Sequence, residues 1–156
     1  YKDLTYIFLA NNQTEKIINE LSLDNTIKEQ LKYFETLAKK KRIIINTNLE
    51  NFNYKINEDD FVRVFNNLVS NAIKYNKMGG KIDISLKNKT LNIKDNGIGI
   101  EEKKIKDIFN WYYRETKEKG GFGIGLSIVN KICKDYNIEI TVESKLNEGT
   151  TFSLSF

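Results

Sequence analysis

One stretch, residues 61–76, constrains the fold of this chain more than any other. Apolar residues recur in it at intervals of three and four, which predicts an amphipathic helix with a single buried stripe. The members of that stripe are Phe61, Val64, Phe65, Leu68, Val69, Ala72 and Ile73. Asn57 is the predicted N-cap of this helix, and the glycines within residues 78–80 are the predicted stop.

Another face of the same helix carries polar groups at helical spacing. Asn67, Asn71 and Tyr75 follow one another at intervals of four, and Lys74 lies three residues beyond Asn71. Residues three and four apart are neighbours on a helix surface, so two amides, an ammonium and a phenol converge there. Asn is a poor helix-interior residue because its side chain competes for backbone hydrogen bonds. This face is therefore either a ligand site or a solvated polar surface, and the helix by itself does not decide.

Composition excludes several classes of function. The chain has 156 residues, which suits one domain, and it contains no histidine and one cysteine. The missing histidine excludes Ser-His-Asp and Cys-His catalysis and argues against a zinc site. Cys133 cannot form an intrachain disulfide, which fits a reducing compartment. The net charge of +4 is spread along the chain, and its densest run, residues 39–42, ends a predicted helix, where cations complement the dipole; nucleic-acid binding is not expected.

Periodicity and turn signals predict helices mixed with strands. Strands are predicted at residues 21–23, 43–48, 54–56, 81–86, 90–94, 138–143 and 150–156, and helices at 25–41, 61–76, 101–109 and 121–136. Asp24 is the predicted N-cap of the first helix. Residues 87–89 join the fourth and fifth strands as a hairpin. This mixture predicts a two-layer sandwich in which helices cover one face of a sheet.

Two glycine-rich loops carry candidate chemistry, and the first follows a predicted strand directly. Asp95 ends that strand, and Gly97 and Gly99 come next. A carboxylate at a strand end can accept a hydrogen bond from an exocyclic amine, and glycines let the backbone approach a flat ligand. A plain turn before a helix explains the Asn-Gly pair but accounts less well for the second glycine.

The second loop opens a predicted helix. Gly121, Gly123 and Gly125 precede it and offer free N–H groups and the positive end of a helix dipole to phosphates. The loop is not a Rossmann fingerprint, because Leu126 stands where that motif has its third glycine. It is not a Walker loop, because the Lys-Ser/Thr pair does not follow. The H-R-D and D-F-G motifs of protein kinases are absent as well.

In combination these segments resemble the ATP-binding domain shared by sensor histidine kinases, gyrase, the Hsp90 chaperones and MutL, known as the Bergerat fold or GHKL superfamily. Within it, the chain is most similar to the catalytic domain of two-component sensor histidine kinases. The matching motifs are an N box at residues 67–75, glycine boxes at 95–100, 121–129 and 149–152, and an F box at 108–114. The resemblance covers about residues 20–156. It implies an α+β fold with a mixed, largely antiparallel sheet and a mobile ATP lid at about residues 100–123.

The resemblance also implies roles for single residues in a Mg·ATP site. Asn71 would coordinate Mg²⁺, and Asn67 would contact the phosphates or the metal shell. Lys74 would lie near the phosphates, Tyr75 would flank the nucleotide, and Asp95 would bind the adenine amino group. The catalytic residues implied are Asn67, Lys74 and Arg114, the last of which would reach the γ-phosphate. Further nucleotide contacts are implied for Gly97, Gly99, Ile100, Gly121, Gly123, Gly125, Leu126 and Thr150.

Position 67 separates kinases from relatives that hydrolyse ATP. The hydrolysing members carry a Glu there as general base for water, whereas Asn67 cannot take up a proton. This difference favours transfer to another acceptor, which in the family is a histidine on a dimerisation domain just upstream. The chain has no histidine, so the acceptor is expected outside it. Residues 1–18 are then the tail of the dimerisation helix, and residues 19–156 are the catalytic domain.

The partners and location follow from the same resemblance. ATP or ADP and Mg²⁺ are the implied ligands, a response-regulator receiver domain is the implied downstream partner, and the full-length protein is expected to be a homodimer. The chain begins with Tyr1 rather than an initiator Met, so it is expected to be a piece of a longer protein. It would be the cytoplasmic part of a kinase anchored in the bacterial inner membrane. An anti-sigma-factor kinase acting on serine and a pseudo-kinase without nucleotide binding remain as alternatives.

Overall fold

The computed structural model describes residues 16–109 and 123–156. In these ranges the strands are β1 (Asn19–Ser22), β2 (Ile44–Leu49), β3 (Asn53–Ile56), β4 (Lys81–Lys87), β5 (Thr90–Asp95), β6 (Glu139–Lys145) and β7 (Gly149–Ser155). The helices are α1 (Leu23–Lys40), α2 (Glu58–Lys74) and α3 (Gly123–Asp135), with a 3-10 helix at Glu102–Asp107. Residues 1–15 and 110–122 lie outside the described residues, so the upstream helix tail and most of the lid stay predictions.

The main sheet has five strands in the order β2-β4-β5-β7-β6. β2 pairs with β4 in parallel, whereas the β4–β5, β5–β7 and β7–β6 pairs are antiparallel. β1 and β3 form a separate antiparallel ribbon. The prediction of a mixed, largely antiparallel sheet is therefore confirmed, and the predicted hairpin is β4–β5. In the part of the chain that the structure describes, no helix is both long enough and apolar enough to cross a bilayer.

The core lies between the helices and one face of this sheet. Successive residues of β4 alternate between exposed and buried, so that Ile82, Ile84 and Leu86 point inward. α2 supplies the opposing apolar surface, and all seven members of the predicted stripe are buried. Burying side chains of this size stabilises a fold by roughly 1.5–3 kcal/mol each. The packing of this stripe therefore holds α2 against the sheet and so fixes the position of its polar face.

The N-cap of the first helix and the type of the third predicted helix differ from the prediction. Ser22, not Asp24, is the N-cap of α1, and its Oγ accepts a hydrogen bond from Asn25 N at 3.4 Å. Asp24 is buried in the first turn instead, where its Oδ1 accepts from Phe52 N at 3.1 Å. The prediction of Asp24 as cap was wrong because a distant backbone donor competes for this carboxylate. The helix predicted at residues 101–109 is a 3-10 helix over Glu102–Asp107.

Candidate functional site

The C-terminal half of α2 presents the polar face that the sequence predicts. Asn57 caps the other end of the helix, as expected, by accepting from Asp60 N at 3.0 Å. Asn67 and Asn71 are half-buried, so both amides remain accessible from one side. The Asn71 side chain makes no hydrogen bond to any described residue. An amide without a protein partner at a partly buried position is available to a ligand.

Asn67 is held by its own helix and approached closely by α3. Its Nδ2 donates to Arg63 O at 2.8 Å, which leaves its Oδ1 directed at the start of α3. A Cβ atom added to Gly125 would lie 2.6 Å from that oxygen. Glycine is therefore the residue that fits position 125 while this amide keeps its place. The structure thus brings the N box and the second glycine-rich segment into contact.

Asp95 ends β5 in a buried position and is only half satisfied. Its Oδ1 accepts from Gly97 N at 2.9 Å and from Thr150 N at 3.3 Å. None of the described residues donates to its Oδ2. Burial raises the pKa of this carboxyl to about 6, although the two backbone donors act in the opposite direction. A buried carboxylate with one open oxygen is poised to accept a hydrogen bond from a ligand.

The loop after β5 passes between the end of α2 and the β6–β7 turn. A Cβ on Gly97 would overlap the carbonyl oxygen of Tyr75. A Cβ on Gly99, whose φ is +73°, would overlap the carbonyl oxygen of Lys145. Ile98 N donates to Tyr75 O at 3.0 Å, which ties the loop to the helix. The two glycines of the first glycine box are therefore required by close backbone approach on both sides.

Ser144 joins Thr150 and Ile100 to this loop, and sequence reasoning missed it. Its Oγ lies 2.7 Å from Thr150 Oγ1, accepts from Ile100 N at 2.8 Å and donates to Gly149 O at 2.9 Å. A serine within a β-strand carries no signal of such a role. Only its partners, one of them 44 residues away along the chain, reveal it.

The other predicted residues differ in how far the structure describes them. Lys74 is exposed, and its Nζ lies 5.3 Å from the centroid of the Tyr75 ring. Leu126 is completely buried and packs in the core. Arg114 and Gly121 lie outside the described residues, and Gly123 is the first residue of α3. The contacts that join the site are Asn67 with Gly125, Tyr75 with Gly97 and Ile98, and Asp95 with Gly97 and Thr150.

Comparison with known families identifies the family to which these segments belong. The family described as "Histidine kinase-, DNA gyrase B-, and HSP90-like ATPase" matches residues 56–156. The chain belongs to this ATPase family. The match includes α2, the Asp95 loop and α3, so the segments that meet at the site are family segments.

Curated proteins that resemble the chain include sensor proteins and sensor kinases. It is 32% identical over 142 residues to the heme sensor protein HssS of Staphylococcus saprophyticus, covering 88% of the chain and 31% of that protein. It is 36% identical over 114 residues to the sensor histidine kinase YvrG of Bacillus subtilis, covering 69% of the chain and 20% of that protein. The chain thus spans less than a third of the length of these relatives.

Solved structures identify the branch of the ATPase family. The catalytic domain of histidine kinase ThkA is 27% identical, with a TM-score of 0.76, covering 88% of this chain and 93% of that one. The cytoplasmic segment of histidine kinase QseC is 17% identical, with a TM-score of 0.74, covers 98% and 89% respectively, and shares the fold. The expected α+β fold of a histidine kinase catalytic domain of the ATP-binding GHKL type is confirmed.

Proposed function

We propose that this ATP-binding domain transfers the γ-phosphate of Mg·ATP to a histidine on a dimerisation domain outside the chain, for relay to a response regulator. The observation that carries the proposal is the Asp95 carboxylate. Its Oδ1 is engaged by two backbone donors, and no described residue donates to its Oδ2. At neutral pH a carboxyl with a pKa of about 6 is mainly ionised. It accepts from the amino group of adenine but meets a carbonyl oxygen in guanine, so adenine nucleotides are preferred.

The Asn71 amide fits a Mg²⁺ ion that is held mainly by phosphates and water. Mg²⁺ takes oxygen ligands and usually keeps several waters, with few protein ligands. The side chain of Asn71 has no hydrogen-bond partner among the described residues. Within residues 16–109 and 123–156, no group of three or more acidic, Cys or His residues could cage a metal. When bound, the ion supplies charge neutralisation for the triphosphate.

The phosphates belong between α2 and the start of α3. α3 begins at Gly123, and the free N–H groups and dipole at a helix N-terminus favour anions. Asn67 contacts this segment at Gly125, and Lys74 adds a point charge from α2. Gly121 and Arg114 are assigned to the phosphates from their motifs, with Arg114 stabilising charge on the transferring group.

Transfer to an acceptor is favoured over hydrolysis by the chemistry of Asn67. Its amide donates to Arg63 O through Nδ2, and neither of its polar atoms can take a proton from water. The chain contains no histidine, so the phosphoacceptor is supplied by another part of the protein. Because the relatives are named as sensor kinases, we place this domain in the cytoplasm within a homodimeric, membrane-anchored sensor.

Calorimetric titration of Mg·ADP into the chain, with Mg·GDP as the control ligand, tests the nucleotide assignment. We expect Mg·ADP to bind and Mg·GDP to bind at least about tenfold more weakly, because the wrong base leaves a buried polar group unpaired. Asp95→Asn keeps an acceptor for Gly97 N and Thr150 N but loses the charge. It should weaken Mg·ADP binding by about tenfold or more. Equal binding of Mg·ADP by the wild-type chain and by Asp95→Asn would contradict the assignment of Asp95 to the adenine amino group.

ATP turnover by the isolated chain tests whether the γ-phosphate is transferred to an acceptor rather than to water. We expect slow turnover, and an increase in Asn67→Glu, which restores a group able to accept a proton from water. Rapid turnover by the wild-type chain, without any acceptor, would contradict the role given to Asn67 and leave the nucleotide site intact.

A further inference from the structure

The C-terminus of α2 is capped by a lysine from another part of the fold. Lys41 Nζ lies 3.0 Å from Ile73 O, 2.9 Å from Lys74 O and 3.2 Å from Asn76 O. A lysine ammonium has three N–H donors, so these three acceptors use its whole hydrogen-bonding capacity. The positive charge also lies at the negative end of the α2 dipole.

This contact changes the interpretation of the basic run at residues 39–42. The run was expected to complement the dipole of its own helix, and Lys39 and Lys40 do lie in the last turn of α1. Lys41 follows that turn and sends its side chain to α2 instead. Its backbone is held in place, since Lys41 N donates to Ala38 O at 3.2 Å and Lys41 O accepts from Gly79 N at 2.8 Å. The ammonium is therefore presented by an anchored residue.

The turn that Lys41 caps also contacts the nucleotide loop. Tyr75 O, the carbonyl that Lys41 does not bind, accepts from Ile98 N at 3.0 Å. Gly97 approaches Tyr75 O so closely that a Cβ there would overlap it. The carbonyls at the end of α2 are thus shared between Lys41 on one side and the loop after β5 on the other.

Asp95 is connected to the same turn through one residue. Gly97 packs on the turn, and Gly97 N donates to Asp95 Oδ1 at 2.9 Å. A shift of the Tyr75 carbonyl would therefore move Gly97 and turn the carboxylate. Lys74, whose own carbonyl Lys41 binds, would move as well.

We propose that Lys41 is a positioning residue for the nucleotide site, which sets the C-terminal turn of α2 and, through Gly97, the orientation of the Asp95 carboxylate. The inference rests on the proposed nucleotide-binding function. Lys41 itself has no role in chemistry. It holds backbone acceptors whose alternative partner is water, and the loop geometry follows from where those acceptors are held.

The test compares Lys41→Met with Lys40→Met, an equal loss of charge at an exposed neighbour in the same run. Mg·ADP affinity is measured by calorimetry, and the folded fraction of each protein is established by urea unfolding. We expect Lys41→Met to bind on the order of tenfold more weakly, since three carbonyl acceptors lose a charged donor, and Lys40→Met to bind within about twofold of wild type. Lys41→Arg keeps a charged multiple donor and is expected to recover most of the affinity.

Amide hydrogen exchange separates positioning from a general loss of stability. In Lys41→Met the Ile98 amide should exchange faster while amides of β4 and β5 keep their protection, because only the turn is released. The proposal is overturned if Lys41→Met binds as tightly as Lys40→Met, or if its weaker binding comes with unchanged exchange at Ile98. Should the wild-type chain not bind Mg·ADP, the proposed function fails instead, so the two failures are distinguishable.

Discussion

The two ends of α2 are held by opposite chemistry. At its N-terminus a buried carboxylate, Asp60, accepts from Tyr136 Oη at 2.6 Å and from Lys16 Nζ at 3.0 Å. At its C-terminus the backbone carbonyls accept from Lys41 and from Ile98 N. Both arrangements place a charge where it complements the helix dipole. The hydrogen-bond acceptor at the N-terminus is a side chain of the helix, whereas the acceptors at the C-terminus are backbone carbonyls.

This difference separates stability from binding. The Asp60 network joins α2 to Tyr136, just after α3, and to Lys16, and none of these residues belongs to the predicted nucleotide site. Burial and the neighbouring Asp60 carboxylate raise the pKa of Tyr136, so its hydroxyl stays protonated as a donor. The C-terminal turn, in contrast, contacts Gly97 and Ile98. Changes at the N-terminal end should reduce stability, and changes at the C-terminal end should reduce affinity.

The largest effect is expected at the N-terminal end. Asp60→Ala leaves the Tyr136 hydroxyl and the Lys16 ammonium without their shared carboxylate, and Asp60 is 1% exposed. We expect the free energy of unfolding to fall by about 3 kcal/mol, because the Tyr136 hydroxyl loses a charged acceptor and the first turn of α2 loses a negative charge that complements its dipole. Lys16, whose side chain is 32% exposed, keeps water as a partner. Urea unfolding measures this loss, and the matched control Asp59→Ala, at an exposed neighbour, should cost less than about 1 kcal/mol. A tenfold loss of Mg·ADP affinity in folded Asp60→Ala would contradict the assignment of the N-terminal end of α2 to stability alone.

The next effect has the opposite sign and lies at the site. In the folded chain the pKa of Asp95 is about 6, against an ordinary value of 3.8. The folded chain thus holds this proton more tightly than the unfolded one, and the Asp95 contribution to stability falls as pH rises from about 4 to about 6. Asp95→Asn removes this titration. Above pH 7 it should stabilise the nucleotide-free chain by up to about 2–3 kcal/mol, and the gain should vanish near pH 4.

Urea unfolding at several pH values measures this gain, with the exposed carboxyl Asp107 as a matched control. Asp107→Asn should not reproduce the pH-dependent difference. A destabilised Asp95→Asn at pH 8 would mean that the carboxylate is structural rather than held ready for a ligand.

The smallest effect concerns the contact between α2 and α3. A Cβ at Gly125 would lie 2.6 Å from Asn67 Oδ1, so Gly125→Ala should displace that amide. We expect Mg·ADP affinity to fall about tenfold, equivalent to about 1.4 kcal/mol. Stability should hold or rise by up to about 1 kcal/mol, because Ala favours a helix over Gly. Lys134→Ala, at an exposed position of the same helix, is the control for helix propensity. An equal loss of Mg·ADP affinity in that variant would show that displacement of Asn67 is not the cause.

The sequence predicted the elements whose burial is periodic. The α2 stripe, its Asn57 cap and the β4–β5 hairpin follow from local spacing and turn residues, and all three are confirmed. The motif residues of the site were also named in advance, although their contacts with a nucleotide stay predictions. The predicted cap of α1 was wrong, because the Asp24 carboxylate accepts a hydrogen bond from Phe52 N, which lies between β2 and β3.

The residues that sequence reasoning missed act through the backbone of distant segments. Lys41 binds carbonyls 32 to 35 residues away along the chain, and Ser144 binds Ile100 N, 44 residues away. Neither belongs to a motif or a periodic pattern. A lysine in a basic run and a serine in a strand look like ordinary surface residues.

The amino-acid sequence alone determined which faces of the elements are buried, which family the motifs resemble and which position, 67, lacks a general base. These properties depend on residue type and on spacing within one element. Only the tertiary structure decided which donors meet the end of α2 and which oxygen of Asp95 stays open. A backbone carbonyl accepts a hydrogen bond from any donor that reaches it. Its partner therefore depends on which distant segment the fold brings close, and not on the type of the residue that bears the carbonyl.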